Sequence, residues 1–214
     1  LWAVGHKRAD LRPDRHVVEQ HVIAVRGYRG AVLLVRDERA ESFGCPRRED
    51  LRVPARGTQG RLDRKGVANT LSMNKGGTAE AAGLKFTMVH AVHSSGIEDG
   101  GQVFYGGEAA GFVITLEDGT RIYHAGDTAV HADMALIGEL YPPDIALLPI
   151  GDHYTMSPRE AAVAARMLKP RWIVPAHYGT SPVFTGTPEM LREELKKLKV
   201  ASEVVALRPG ETLS

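Results

Sequence analysis

The chain has almost no cysteine. Cys45 is the only one in 214 residues, which excludes an intramolecular disulfide framework and any cysteine-rich zinc module. A metal ion would have to be held by histidine and carboxylate. Also lacking is any run of eighteen or more apolar residues, so no segment reads as a membrane-spanning helix. The opening LWAVGHKRADLRPDRH lacks the basic region followed by an apolar stretch that marks a secretory signal. The expectation is a soluble, cytoplasmic protein with no membrane partner. With 43% hydrophobic residues the chain can bury a core, and its length makes one globular domain the starting expectation.

Net charge is nearly absent overall, at +1, but not locally. Residues 1–65 hold 15 of the 27 Lys and Arg against 9 of the 26 Asp and Glu, a balance of +6, which leaves −5 for residues 66–214. Of those 15 early basic residues 13 are Arg, whereas the later part has six Arg and six Lys. Composition therefore changes near Gly66. The expected division is a divergent, Arg-rich, poorly patterned segment over 1–65 and the patterned C-terminal part of a domain over 66–214.

Before Gly66 only Ala31-Val32-Leu33-Leu34-Val35 and Val22-Ile23-Ala24-Val25 have strand character. GCPRREDLRVPARGTQGRLDRKG is dense in Arg, Gly and Pro and reads as loop or weakly ordered chain. Beyond it the texture is that of an α/β protein, short apolar runs separated by turn signals. Residues 84–92 read as a strand. Residues 111–117 lead through Asp118-Gly119 into Thr120-Arg121-Ile122-Tyr123-His124, the pattern of a tight hairpin with a positive-φ glycine. The run DIALLPI, 144–150, reads as a central strand covered on both faces. Ser157-Pro158-Arg159-Glu160 combines an N-cap Ser, Pro at the first helical position and Glu three residues after the cap, and opens an Ala-rich helix ending at Lys169-Pro170. Residues 171–177 form a further strand. Thr187-Pro188-Glu189 opens a second helix with Leu191, Leu195 and Leu198 on one face, and 203–207 can close a sheet.

Three segments share one property: an apolar strand ends on a potential metal ligand followed by small residues. They are Val92-His93-Ser94-Ser95-Gly96, Tyr123-His124-Ala125-Gly126-Asp127-Thr128 and Pro175-Ala176-His177-Tyr178-Gly179. Strand ends followed by loops are where α/β sites collect, because the sheet positions the residue and the loop leaves it open. Two imidazoles and a carboxylate suit zinc, manganese or iron, with positions left for water. His90 and His93 lie three apart on a strand and so project to opposite faces, and only one can join a site. Periodicity does not choose between them. His124 reads as structural or as a support for a ligand rather than as a ligand itself, and His131 as exposed just before a short helix. Ser94 and Ser95 lack a nucleophile-elbow context and read as hydrogen-bonding groups.

The segments MNKGGTAE, VHAVHSSG, YHAGDTA, LLPIGDHYTMSPREAA and PAHYGTSP, in that order, resemble the poorly characterised metal-dependent hydrolase family within the metallo-β-lactamase superfamily. The resemblance covers about residues 65–214. It implies an α/β fold, an αββα sandwich whose sheet-edge loops hold one or two divalent ions, zinc or manganese. By motif it implies that His93 completes the first metal position, that Asp127 bridges both ions and takes a catalytic part, and that His177 is the last ligand of the second. The nucleophile would be water activated by the metal, acting on a small-molecule substrate of unspecified class. Asp152, His153 and Tyr154 would face the same cleft, His153 as a second catalytic residue that orients ligands or substrate. An alternative has Asp152 capping loop amides and His153 simply exposed. Loops 98–107 and 180–187 would shape the pocket.

The superfamily's His-x-His-x-Asp-His motif is not in this chain; the only histidines before His90 are His6, His16 and His21. The N-terminal part of the fold is therefore expected to be incomplete or divergent, and activity impaired. Two explanations fit: a divergent N-terminus, or an out-of-frame reading of a GC-rich gene, which enriches Arg, Gly and Pro codons and erases motifs. The abrupt shift in composition and the opening Leu favour the second; an intact frame in related genes would overturn it. A rival function is a non-catalytic scaffold whose +6 front segment engages nucleic acid phosphates. A run of positive charge is more often solvated surface, so a nucleic-acid partner ranks below the hydrolase. Oligomeric state is not encoded in any pattern seen.

Overall fold

In a computed structural model of the chain, the residues described are 2–5, 22–25, 32–33, 51–52, 71–81, 83–99, 101–208 and 211–213. They cluster into two compact units. One comprises residues 1–74, 95–107 and 207–214, the other 75–94 and 108–206. The change of composition at Gly66 falls inside the first unit.

The first unit contains a five-stranded sheet, in the order β14-β1-β2-β3-β4, made of β1 (Trp2–Gly5), β2 (Val22–Val25), β3 (Val32–Leu33), β4 (Leu51–Arg52) and β14 (Thr212–Leu213). Strand β2 coincides with the first early apolar stretch, and β3 takes two residues of the second, the other three lying outside the described residues. Leu51 and Arg52 lie in the piece expected to be loop, yet pair in parallel with Val32 and Leu33. Pairing against an existing edge, rather than local propensity, makes this short strand. The rest of that Arg-rich piece lies outside the described residues. A separate hairpin of β7 (Gly96–Asp99) and β8 (Gln102–Tyr105) belongs to the same unit.

The second unit is a seven-stranded mixed sheet with three helices. Its order is β13-β12-β11-β10-β9-β6-β5, with β5 (Thr78–Ala81), β6 (Leu84–His90), β9 (Ala110–Thr115), β10 (Arg121–His124), β11 (Ile145–Pro149), β12 (Trp172–Ala176) and β13 (Glu203–Val204). The helices are α1 (Asp133–Leu140), α2 (Pro158–Leu168) and α3 (Pro188–Lys197). The α/β class read from the sequence is what the structure has.

Local chemistry explains most of these elements. Gly119, at φ +85°, closes the β9–β10 hairpin, and its amide donates to the Leu116 carbonyl at 3.0 Å. All five residues of β11 are buried, as a strand covered on both faces requires. Helix α2 opens on a complete capping box, the Ser157 hydroxyl accepting from the Glu160 amide and Glu160 accepting from the Ser157 amide. Lys169 ends it in the left-handed conformation immediately before Pro170. The faces of α2 and α3 that carry Ala161, Ala165, Leu168, Leu191 and Leu195 enter one core with Leu148, Ile150 and Ile173. Burying each large aliphatic side chain there contributes about 1.5–3 kcal/mol before entropy is counted.

Strand direction decides where function collects. β6 is antiparallel to β9, and β9 to β10, so β6 runs with β10; β11 and β12 are parallel to β10. The carboxyl ends of β6, β10, β11 and β12 therefore open on the same edge of the sheet.

Candidate metal centre

Each of those four ends leads into a loop carrying histidine or carboxylate: His93 after β6, Asp127 after β10, Asp152 and His153 after β11, and His177 after β12. The loops are fastened to one another. Ala129 donates to the Val92 carbonyl at 2.9 Å, the Val92 amide donates to Thr128 Oγ1 at 2.9 Å, and the Ile150 amide donates to the Ala176 carbonyl at 3.0 Å. Gly151 packs so closely beneath the next loop that a Cβ there would stand 2.0 Å from the His177 carbonyl oxygen.

Asp127 and His177 meet. His177 Nε2 lies 4.0 Å from Asp127 Oδ1, with side-chain exposures of 11% and 27%. That distance is too long for a hydrogen bond, and short enough for both groups to reach one small cation through bonds of about 2.0–2.2 Å. His177 sits at φ +54°, a conformation that costs a non-glycine residue about 1–3 kcal/mol and persists where surrounding structure imposes it. Its Nδ1 is buried without a hydrogen-bond partner. An imidazole nitrogen facing a carboxylate oxygen across a gap is a donor pair that fits a divalent cation.

His93 lies on the adjoining loop, half-buried. Its Nδ1 is 2.9 Å from the Ser94 carbonyl oxygen, which can only accept, so Nδ1 carries the proton and Nε2 of the neutral ring keeps its lone pair. That is the tautomer a ligand needs. Among the described residues, however, no group of three or more His, Cys, Asp or Glu comes together in a way that could hold a metal ion. Asp127 and His177 are brought together; His93 is not gathered with them into such a group.

The other histidines resolve by their partners. His90 is engaged by Lys75, its Nδ1 3.0 Å from Lys75 Nζ, which in turn donates to Glu108 Oε2 at 2.9 Å. That contact with Lys75 holds the Glu108 carboxyl below its usual range. His124 is buried and its Nδ1 accepts from the Gly126 amide at 3.0 Å. His131 differs from expectation. It is half-buried with both ring nitrogens shielded and without hydrogen-bond partners, and its ring meets His90 edge-on at 5.3 Å. Burial, then the charge of His90, lowers its pKa below the usual value. The approach of the β6 and β10 loops draws it in, which the sequence around it did not show.

Asp152 behaves as a loop cap, its Oδ1 accepting from the His153 amide at 2.8 Å. His153 is exposed, at φ +57°, with its ring edge-on to Tyr154 at 4.3 Å. Ser95 Oγ donates to the Gly107 carbonyl within the first unit. Sequence reasoning missed two features: Phe184, whose ring lies 4.4 Å from that of His177, and the Lys75–His90–His131 cluster. Lys75 lies in a motif segment already noted, and Phe184 in the loop 180–187 expected to shape the pocket, but nothing local tied its ring to His177. The basic side chains on which a nucleic-acid partner rests lie outside the described residues. No helix among the described residues is long and apolar enough to cross a membrane.

A mixed α/β sheet whose aligned strand ends present His and Asp defines a protein of the metallo-β-lactamase fold, and the solved structures agree. The metallo-β-lactamase fold protein YhfI of Bacillus subtilis aligns over 99% of this chain and 98% of its own with a TM-score of 0.66, at 10% identity. The chain belongs to the beta-lactamase superfamily domain family, whose profile matches residues 29–178. It is 54% identical over 153 residues to a UPF0173 metal-dependent hydrolase of Koribacter versatilis, a match spanning 72% of this chain and 64% of that protein. Igni18, a novel metallo hydrolase from the hyperthermophilic archaeon Ignicoccus hospitalis, aligns at 28% identity with a TM-score of 0.76, over 91% of this chain and 93% of its own.

Proposed function

We propose that this chain is the part of a metal-dependent hydrolase that carries Asp127, His177 and His93 as ligands of a divalent ion, zinc or manganese, and that it acts on a small molecule. The observation that carries the reading is the approach of Asp127 and His177 to 4.0 Å at the shared edge where four strands end. The UPF0173 relatives support the reaction class. When bound, the metal supplies an acidified water and polarises the scissile oxygen.

The chain's own residues then have separate tasks. Asp127 presents a negative charge to the cation and an acceptor to any proton released beside it. His177 presents Nε2, its ring fixed by the left-handed backbone and by Phe184. His93 presents Nε2 because the Ser94 carbonyl holds its Nδ1 proton. His153, exposed on the loop after β11, would meet substrate or leaving group and pass a proton at its ring nitrogens, a role its exposure supports. One or two ions per chain are compatible with this set.

Elemental analysis tests the reading. Purified protein should contain one or two divalent ions per chain, and the Asp127→Ala, His177→Ala double variant should contain none. Protein without metal after growth and dialysis in zinc or manganese would overturn it.

A further inference from the structure

The ring of His177 begins a chain of aromatic contacts that extends outward beyond the candidate ligands. Phe184 lies 4.4 Å from His177 at 54°, Tyr154 lies 6.2 Å from Phe184 at 74°, and His153 lies 4.3 Å from Tyr154 at 81°. The four rings come from two loops, 150–157 after β11 and 177–187 after β12. They run outward from a buried imidazole to rings in solvent, Tyr154 being 62% exposed. Val183, beside Phe184, is 43% exposed.

These rings are built into place. A Cβ at Gly186 would stand 1.7 Å from the Ile150 carbonyl oxygen, and one at Gly151 would stand 2.0 Å from that of His177, so the loops interlock at backbone contact. Loop 150–157 is closed by the Asp152 amide donating to the Met156 carbonyl at 3.0 Å and by the Tyr154 amide donating to the Asp152 carbonyl at 2.6 Å. Asp152 and His153 both hold positive φ, at 64° and 57°. Backbone strain of this kind persists where structure enforces it and gathers at ligand sites. A strained turn that drives a tyrosine into water, edge-on to a phenylalanine that packs against a candidate ligand, gains nothing for the core. It presents a rigid aromatic wall, which is how small-molecule sites recognise flat apolar groups.

We infer that Phe184 and Tyr154 form an aromatic subsite beside the Asp127–His177 pair, and that the substrate carries a planar aromatic group next to the bond that is cleaved. The position of that bond rests on the metal-dependent hydrolase reading; the subsite itself rests on the four rings.

The experiment compares binding of benzylphosphonate and methylphosphonate to the full chain by calorimetry, with and without zinc. The wild type should prefer benzylphosphonate. In Phe184→Leu and Tyr154→Leu, which keep apolar volume but remove the ring, that preference should shrink by about threefold to tenfold. Methylphosphonate affinity and melting temperature should stay unchanged in Tyr154→Leu, and Phe184→Tyr should restore the preference lost in Phe184→Leu. Equal affinity of the wild type for both probes, or a preference untouched by either leucine variant, overturns the subsite. Failure to bind zinc overturns the hydrolase reading instead, and the ratio measured without zinc still decides the subsite.

Discussion

His131 holds two shielded ring nitrogens against His90, and the charges of Lys75 and Asp133 act on it in opposite directions. Burial favours its neutral form, so its folded pKa lies below the value near 6.5 that it takes in the unfolded chain. Between those two values the unfolded state binds a proton that the folded state does not, and stability rises with pH. This contribution is fully present above about pH 6.5 and is lost as pH falls through the lowered folded value. Melting temperatures measured across that range should therefore fall on acidification. His131→Phe, which keeps the edge contact and removes the titration, should flatten the part of the slope that this residue causes; an unchanged slope would contradict the assignment. His131 reads as an exposed residue from its neighbours in sequence, because what shields it comes from another strand.

Helices and strands were the most legible parts of this chain. The capping box at Ser157 and Glu160, the Pro at the start of α2 and the threonine cap of α3 are local chemistry, and each stands where the residues indicated. By contrast α1 starts at Asp133 behind Ala132, which makes no side-chain cap, so its beginning was weakly marked. At the far edge β13 pairs only Glu203 and Val204 with Trp172 and Ile173 of β12, shorter than its apolar run. Ser157→Ala should lower stability by about 1 kcal/mol through the lost cap. Gly186→Ala should cost more, since its Cβ would meet a backbone carbonyl rather than a movable side chain. Thermal melts followed by circular dichroism check both, and the reverse order would show that loops 150–157 and 177–187 yield more easily than their packing implies.

For the molecule as a whole, a bound ion should stabilise the folded state by mass action. Zinc at one hundred times its dissociation constant should add about 2.7 kcal/mol and raise the melting temperature, an increment that Asp127→Asn should largely remove. Equal shifts in both proteins would place the binding elsewhere. The chain matches 64% of the length of its Koribacter relative, and its early residues lack the His-x-His-x-Asp-His motif. Zinc affinity therefore also reports whether Asp127, His177 and His93 suffice as ligands.

By itself the sequence determined that any metal here must be held by histidine and carboxylate, that His93, Asp127 and His177 end or follow strands, and that the β9–β10 hairpin, α2 and α3 form. All of this follows from alternation, helical period, turn glycines and caps, which act over a few residues. Only the tertiary structure decided that β6, β10, β11 and β12 end on one edge, that Asp127 reaches His177 while His90 turns to Lys75, and that Phe184 lies against His177. Those are contacts between residues far apart in the chain, set by strand order and direction, and no local pattern carries them.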